Sequence, residues 1–332
     1  MAAAILGRGG LVAFPTETVY GLGGDAANEA AAAKIFAVKG RPRAHPLIVH
    51  LAPGEGGPPR LDGWARDIPD PAKRLVAAAW PGPLTVILKR GPRVALATVG
   101  HSDTIGVRVP AHPIAQELLR AFGGGIAAPS ANRFGHVSPT TAAHVEADLG
   151  DDVDYILDGG PCAVGVESTI VDFSRGHPVL LRPGGMPREA IEAITGPLAA
   201  ADAAAPAAPG TLASHYAPRA TVIAVEPHEV PHAVAEATRD GSDATYPDER
   251  GLPVYKVAVL APENAFAAWG SLPVIGYALP DDVAGMARDL YAALRNLDAA
   301  GVYVVIAALP PAAGLGEAVG DRLRRAAGPR KP

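Results

Sequence analysis

The 332-residue chain is 48% hydrophobic and 19% charged, which suits two folded domains with buried cores and excludes disorder throughout. Its formal net charge of −5 argues against a general phosphate-backbone binder, which needs a cationic stripe that outweighs its acids. The single cysteine, Cys162, cannot form an intrachain disulfide, no leader-like apolar segment opens the chain, and the apolar runs at Val254–Ala261 and Val302–Leu309 fall far short of the roughly 20 residues that cross a bilayer, so a cytoplasmic protein without a membrane segment is expected.

In chain order, the β-rich runs Leu11–Phe14, Leu47–Leu51, Leu84–Leu88, Ile105–Val109, Ile126–Ala128, Tyr155–Leu157, Ser168–Val171 and Val179–Leu181 read as strands. They alternate with helical stretches at Ala30–Val38, Pro71–Ala79, Ile114–Phe122, Pro139–Leu149 and Pro187–Ile194. Asn28 is placed to cap the first of these helices, and Ser138 before Pro139 suits the N-cap and first helical position of another. Residues 1–195 are therefore expected as one α/β domain. Periodicity then vanishes into Ala and Pro around GPLAAADAAAPAAPG, marking a semi-extended linker over 196–219. A smaller, Rossmann-like α/β unit follows at 220–332, with strands Thr221–Val225, Tyr255–Leu260, Val274–Tyr277 and Val302–Ala307 and helices near Pro231–Thr238, Asp281–Ala300 and Gly316–Ala327.

Four stretches carry candidate chemistry. In PTETVYGLGG (15–24) the threonines either satisfy local backbone groups while the glycines take positive φ, or the hydroxyls and bare backbone form a ligand wall. The glycines match neither the P-loop nor the dinucleotide fingerprint. In KGRPRAHPLIVH (39–50), Lys39, Arg41 and Arg43 suit a helix C-terminus electrostatically and equally suit a triphosphate clamp. IAAPSANRFGHVSPT (126–140) brings Ser130, Asn132 and Ser138 to the end of a strand, either as ordinary loop residues or where ligands bind open α/β sheets. GVESTIVDF and LLRPGG place Glu167, Ser168 and Thr169 at the start of one strand and Arg182 at the end of another.

In combination and in this order these signals are specific. FPTETVYGLG, KGRP with HPLIVH, WPGPLT, VRVPAHP, APSAN, SPTTAAHV, DGG with GVESTIVD, and LRPGG are similar to the YrdC-like domain over residues 11–195. With PGTLASHYAP (209–218), the chain resembles the long, two-domain form of the threonylcarbamoyl-adenylate synthase family; beyond residue 220 the match is one of element pattern. The resemblance implies an α/β fold with a YrdC-like twisted mixed sheet and flanking helices, plus the smaller Rossmann-like C-terminal domain.

It also implies a nucleotidyltransferase that joins L-threonine, bicarbonate and ATP, with Mg²⁺, into L-threonylcarbamoyl-AMP and pyrophosphate. The product would pass to a tRNA threonylcarbamoyl-transferase complex, so that tRNA is met only indirectly. By resemblance Lys39, Arg41, Ser130 and Asn132 match the catalytic tetrad, and His45, Thr104, Ser138, Arg182 and Tyr216 join Lys39, Arg41 and Ser130 in the ATP site. Thr16, Thr18, His50, Arg108, Ala128 and Ser168 would hold threonine, with Arg108 on its carboxylate. His215 and Tyr216 would form a lid, and no protein metal site is implied. Such chemistry asks for positioning and charge neutralisation rather than a nucleophilic side chain, which leaves Cys162 an ordinary buried thiol.

The chain departs from the family pattern at Thr211–Ser214, where Lys, Arg and Tyr are more usual, at His45 in place of asparagine, and at Arg133-Phe134 before Gly135. A rival reading, a non-catalytic binder of double-stranded RNA or tRNA, would use the same cations. A carbamoyl transferase would bring Cys pairs that a one-cysteine chain lacks.

Overall fold

The computed structural model describes residues 1–54, 61–239, 245–247, 253–270, 272 and 274–329. Contacts divide the chain into two units, Met1–Phe134 with Ser138–Thr211, and Gly135–Val137 with Leu212–Pro332. The stretch expected as one linker is shared between them, its part through Thr211 belonging with the first unit and the remainder with the second.

The first unit runs α1 (Ala2–Gly7), β1 (Val12–Phe14), β2 (Gly21–Asp25), α2 (Glu29–Lys39), β3 (Ile48–His50), β4 (Ala65–Arg66), α3 (Asp70–Ala79), β5 (Leu84–Arg90), β6 (Thr104–Arg108), α4 (Pro113–Phe122), β7 (Ile126–Ala127), α5 (Ala142–Leu149), β8 (Tyr155–Ile156), β9 (Thr169–Asp172), β10 (Val179–Arg182), α6 (Arg188–Thr195) and β11 (Ala199–Ala200). Its strands form one mixed sheet in the order β11-β10-β9-β5-β6-β3-β7-β2-β1-β8, with β4 beside β5. β3 and β6 run parallel, as do β5 and β9, while β5–β6 and β3–β7 are antiparallel.

Two-residue alternation gives the central strands two different faces. Val49, Leu51, Leu84, Val86, Leu88, Ile105, Val107 and Val109 point to one side, where they pack with Ile35 of α2, Leu75 of α3 and Ile191 of α6. The alternate residues Ile48, Ile87 and Ile170 point to the other side, and there Ala208 and Leu181 complete a small cluster instead of a helix. Further along that side, α1 and α4 cover β1 and β7 through Leu6, Phe14, Leu118 and Ile126. One face at the sheet centre is thus closed by helices, and the other is left to a floor of strands under a short piece of chain.

Asn28 caps α2 as its sequence position indicates, Oδ1 accepting from Ala30 N at 2.9 Å and Ala31 N at 3.2 Å. Two local expectations are corrected. The helix expected from Pro139 begins at Ala142, and its cap is Thr141, whose Oγ1 accepts from His144 N at 3.2 Å. Ser138 is fully buried and donates instead to Glu167 Oε1 at 2.6 Å. The glycines of GLGG form no turn: they lie in β2, and none of Gly21, Gly23 and Gly24 has positive φ. A Cβ on Gly23 would meet Ile126 Cγ2 and Phe14 Cε1, each at 2.8 Å, and one on Gly24 would meet Ile35 Cδ1 at 3.1 Å. Both faces of β2 are pressed by larger neighbours, so the strand lacks the apolar alternation by which it would have been recognised.

The second unit contains β12 (Thr221–Val225), α7 (Val230–Ala237), the hairpin strands β13 (Thr245–Pro247) and β14 (Pro253–Tyr255), β15 (Val257–Pro262), α8 (Glu263–Trp269), β16 (Ile275–Leu279), α9 (Val283–Ala299), β17 (Val304–Ala308) and α10 (Leu315–Ala326). β12-β17-β15-β16 is an all-parallel sheet. The strand expected over Tyr255–Leu260 divides at Lys256, its first residue ending the hairpin, and α8 is a helix the sequence reading did not identify.

Gly23→Val is expected to lower the unfolding free energy by about 1–3 kcal/mol through overpacking against Phe14 and Ile126. Urea titration would read this as a lower midpoint at unchanged slope; an unchanged midpoint would mean that β2 has room for a side chain.

Candidate active site

The face of the central sheet that lacks helices carries one group of the site's polar residues. Ile48, Ile87, Thr85, Thr104, Gly106 and Ile170 line a small cleft, partly open to solvent, whose remaining wall is Pro46, Leu47, Ala207 and Pro209. The strand residues alternate with those of the core, so the amphipathic pattern that builds the core also exposes this floor. Ala207 and Pro209 come from the stretch read as linker.

At the C-terminal ends of β3 and β6, His50 and Arg108 are register partners. Arg108 Nη1 donates to Thr18 Oγ1 at 2.8 Å, Nε to Gly82 O at 3.4 Å, and Nη2 lies 2.8 Å from Glu17 Oε1 in a buried ion pair. Thr16 Oγ1 donates to Val19 O at 2.7 Å and lies 2.8 Å from Thr18 Oγ1. With the Thr16 hydrogen on Val19, the Thr18 hydroxyl must be the donor of that second bond, which leaves its lone pairs for Arg108. The opening loop is therefore self-bonded and aimed at Arg108. Burial first, and the Arg108 cation second, push the His50 pKa down to about 3, so its imidazole is neutral.

The second cluster surrounds the end of α2. Gly40, in the left-handed region at φ 63°, terminates the helix and directs Lys39 inward. Lys39 is buried, and Nζ donates to Ser130 O at 2.6 Å and to Asn132 O. Burial, reinforced by the nearby Arg41 charge, holds its pKa well below that of a free lysine. Arg41 Nη2 donates to Pro46 O at 3.0 Å, and its guanidinium lies 5.6 Å from the Phe134 ring centroid. His45 meets the same ring edge-on at 5.6 Å; burial and Arg41 lower its pKa. The structure thus brings together Lys39, Arg41, His45, Ser130 and Asn132, and adds Phe134.

Arg182 closes β10 and reaches across to Ser168, with Nη2 to its carbonyl at 2.7 Å and to Oγ at 3.2 Å, while Nη1 donates to Pro209 O at 3.0 Å. Ser168 Oγ is also 2.8 Å from Thr85 Oγ1 on the cleft floor. Thr104 Oγ1 lies 2.8 Å from Ser102 Oγ at the cleft's other end. Ala128 is buried beside β3, its N–H on Ile48 O at 2.9 Å. Ser138 is set against Glu167 as described above. Cys162 is buried, and burial pushes its thiol up to about 12, which removes it as a nucleophile near neutral pH. Burial raises Tyr20 to about 12 as well; its hydroxyl donates to Gly160 O at 2.8 Å and holds a loop.

His215 and Tyr216 belong with the C-terminal unit. Tyr216 has φ 61°, rare for a side chain of its size, and stacks on Tyr291 of α9 at 5.9 Å with the Arg322 guanidinium 4.9 Å over its ring. His215 N donates to Arg325 O at 3.2 Å. Glu17, Thr85, Phe134 and Ala207–Pro209 were absent from the sequence-derived site. For Glu17 the signal lay in the quoted motif itself, an acid between the two threonines.

Residues 4–184 match the family model Sua5_yciO_yrdC, described as "Telomere recombination", and residues 186–328 match "Threonylcarbamoyl-AMP synthase, C-terminal domain". The chain belongs to the threonylcarbamoyl-AMP synthase family. It is 41% identical to a threonylcarbamoyl-AMP synthase of Pyrococcus abyssi, covering 99% of this chain and 94% of the relative. It is 39% identical to that of Bacillus subtilis, covering 99% and 92%. The crystal structure of P. abyssi Sua5 complexed with L-threonine superposes with a TM-score of 0.86 at 40% identity, over 98% of this chain and 93% of that one. The mixed sheet with flanking helices and the smaller parallel-sheet unit are the fold of this threonylcarbamoyl-AMP synthase family.

The neutral, buried His50 gives a pH signature. A folded-state pKa near 3 against 6.5 unfolded means that its contribution is complete above pH 6.5 and is lost as pH falls toward 3, because the unfolded chain binds the proton first. Between pH 8 and pH 5 the wild type should lose about 2 kcal/mol more stability than His50→Gln. Paired urea titrations at the two pH values check this, and parallel losses would show that His50 charges freely in the fold.

Proposed function

We propose that this chain catalyses the formation of L-threonylcarbamoyl-AMP and pyrophosphate from L-threonine, bicarbonate and ATP, as a nucleotidyltransferase. The observation that carries this reading is full-length similarity to threonylcarbamoyl-AMP synthases, together with the fold shared with the threonine-complexed P. abyssi structure. Threonine's amine adds to bicarbonate with loss of water, and an oxygen of the resulting carbamate attacks the α-phosphorus as pyrophosphate leaves.

The arrangement of charges supports the division of labour. The donors of Lys39, Arg41 and Arg182 are placed on backbone carbonyls. Carbonyl dipoles orient a cation without neutralising it, so a polyphosphate entering this region meets preorganised positive charge. Lys39 and Arg41 would take the phosphates; Ser130 and Asn132 would flank the reacting oxygen. His45, Thr104, Ser138, Arg182 and Tyr216 would complete the nucleotide site. Arg108 would take the threonine carboxylate, with Thr16, Thr18, His50, Ala128 and Ser168 shaping its pocket.

ATP enters as its Mg²⁺ complex, the ion held by phosphate and water; among the described residues no group of three or more His, Cys, Asp or Glu is arranged to hold a metal. A carbamate is lost to water unless the site closes, and His215 and Tyr216 are the proposed lid. We place the enzyme in the cytoplasm, passing its product to a tRNA threonylcarbamoyl-transferase complex and meeting tRNA only through it. Among the described residues no helix is long and apolar enough to cross a membrane.

Pyrophosphate release should require L-threonine and bicarbonate together with ATP, and Arg41→Ala should lower kcat/KM by about 10²–10³-fold. Release indifferent to threonine would overturn the synthase reading, and no release alongside tight RNA binding would favour a non-catalytic RNA module. Separately, Arg108→Ala should raise the KM for threonine by about 10–100-fold while moving that for ATP by less than about threefold, in steady-state assays varying each substrate. Equal changes in both would place Arg108 outside the amino-acid pocket.

A further inference from the structure

Glu17 is the anionic neighbour of Arg108 in this pocket, and its environment is unusual. Both of its oxygens are buried, and neither accepts an aligned hydrogen bond from the described residues, although Oε1 is only 2.8 Å from Arg108 Nη2. A carboxylate whose task was to hold a guanidinium would normally take aligned, often bidentate, bonds from it. Arg108 is instead oriented by Thr18 Oγ1 at 2.8 Å and by Gly82 O at 3.4 Å, which frees Glu17 from that task.

An α-amino acid carries its carboxylate and its ammonium on one carbon. If the carboxylate seats on Arg108, the ammonium arrives beside a guanidinium that repels it. The nearby threonine hydroxyls carry no charge to offset this, and Thr16 and Thr18 are already bonded to each other, to Val19 O and to Arg108. We infer that Glu17 is a specificity residue for the substrate, accepting the α-ammonium while Arg108 holds the α-carboxylate, so that the pair reads the zwitterion of an amino acid. The inference deepens the proposed function and rests on it. It explains why a buried carboxylate that takes no aligned hydrogen bond is kept in an ion pair with the cation: the substrate supplies to each the partner that the other fits poorly.

The test compares L-threonine with 3-hydroxybutanoate, which keeps the carboxylate and hydroxyl but lacks the amine. Binding of both to the full-length protein is measured by calorimetry, for the wild type and for Glu17→Gln. The wild type should prefer threonine by about 10–100-fold, and Glu17→Gln should abolish that preference by weakening threonine alone, leaving the deaminated analogue within about threefold and the KM for ATP unchanged. Glu17→Asp, which keeps the charge, should retain part of the preference. Equal loss of both ligands in Glu17→Gln would assign Glu17 to supporting Arg108 and overturn the inference. A wild type that binds the two ligands equally would overturn it without recourse to any variant, whether or not Glu17→Gln folds. A wild type that binds neither ligand would remove the functional reading itself, and the inference with it, whereas threonine-dependent pyrophosphate release without discrimination at Glu17 would leave that reading standing.

Discussion

The contact between Arg108 and the loop following β1 is the interaction on which the rest of the site depends. A guanidinium at the end of a central strand is buried, and burying an ion costs several kcal/mol unless polar groups are arranged around it. Thr18 and Glu17, both on one loop, reach it at 2.8 Å. That loop can present itself only because Thr16 bonds Thr18 and Val19, replacing the backbone partners a strand would have provided. The glycines that follow let β2 lie against Phe14 and Ile126, which places the loop beside β6.

Around this contact the sheet serves two purposes at once. One face of the central strands is hidden under α2, α3 and α6 and holds the core together; the other is the floor of the cleft. Because the two faces alternate residue by residue, the strands cannot shift register without exposing core residues and burying Arg108 or Thr104 in hydrocarbon. The stability of the fold and the geometry of the site are thereby the same constraint. Lys39, Arg41 and Arg182 extend it: each sits at the end of a helix or strand or in the loop that follows, each is buried, and each is held by carbonyl oxygens. Such a collection of cations is stable only while its donors are satisfied, and it strongly favours an anionic occupant.

The C-terminal unit makes a different use of burial. Tyr216 is held in a left-handed conformation between Tyr291 and Arg322, and Asp321 pairs with both Arg322 and Arg325. Arg325 in turn receives His215 N on its carbonyl. Residues of α9 and α10 therefore fix the backbone of the His-Tyr dipeptide, which answers in physical terms why a motif expected in a linker is packed so tightly.

Much of this was legible in the chain itself. Apolar, β-rich runs located β1, β3 and β6 to within a residue and β5 to within two, Asn28 marked the start of α2, and the ordered motifs identified the family. These are properties of neighbouring residues, fixed by spacing and by local hydrogen bonding, and they need no partner from elsewhere. Most of what failed depended on a distant partner. The glycine run was a strand because Phe14, Ile126 and Ile35 crowd it, Ser138 served Glu167 rather than a helix cap, and Glu17 acquired its meaning from Arg108, whose contact with the adjacent Thr18 spans 90 positions. The sequence by itself determined the order of elements, the amphipathic faces and the family. Only the tertiary structure decided which buried charges meet, because that follows from strand register and sheet order, and side chains far apart in the chain become neighbours only when the sheet is assembled.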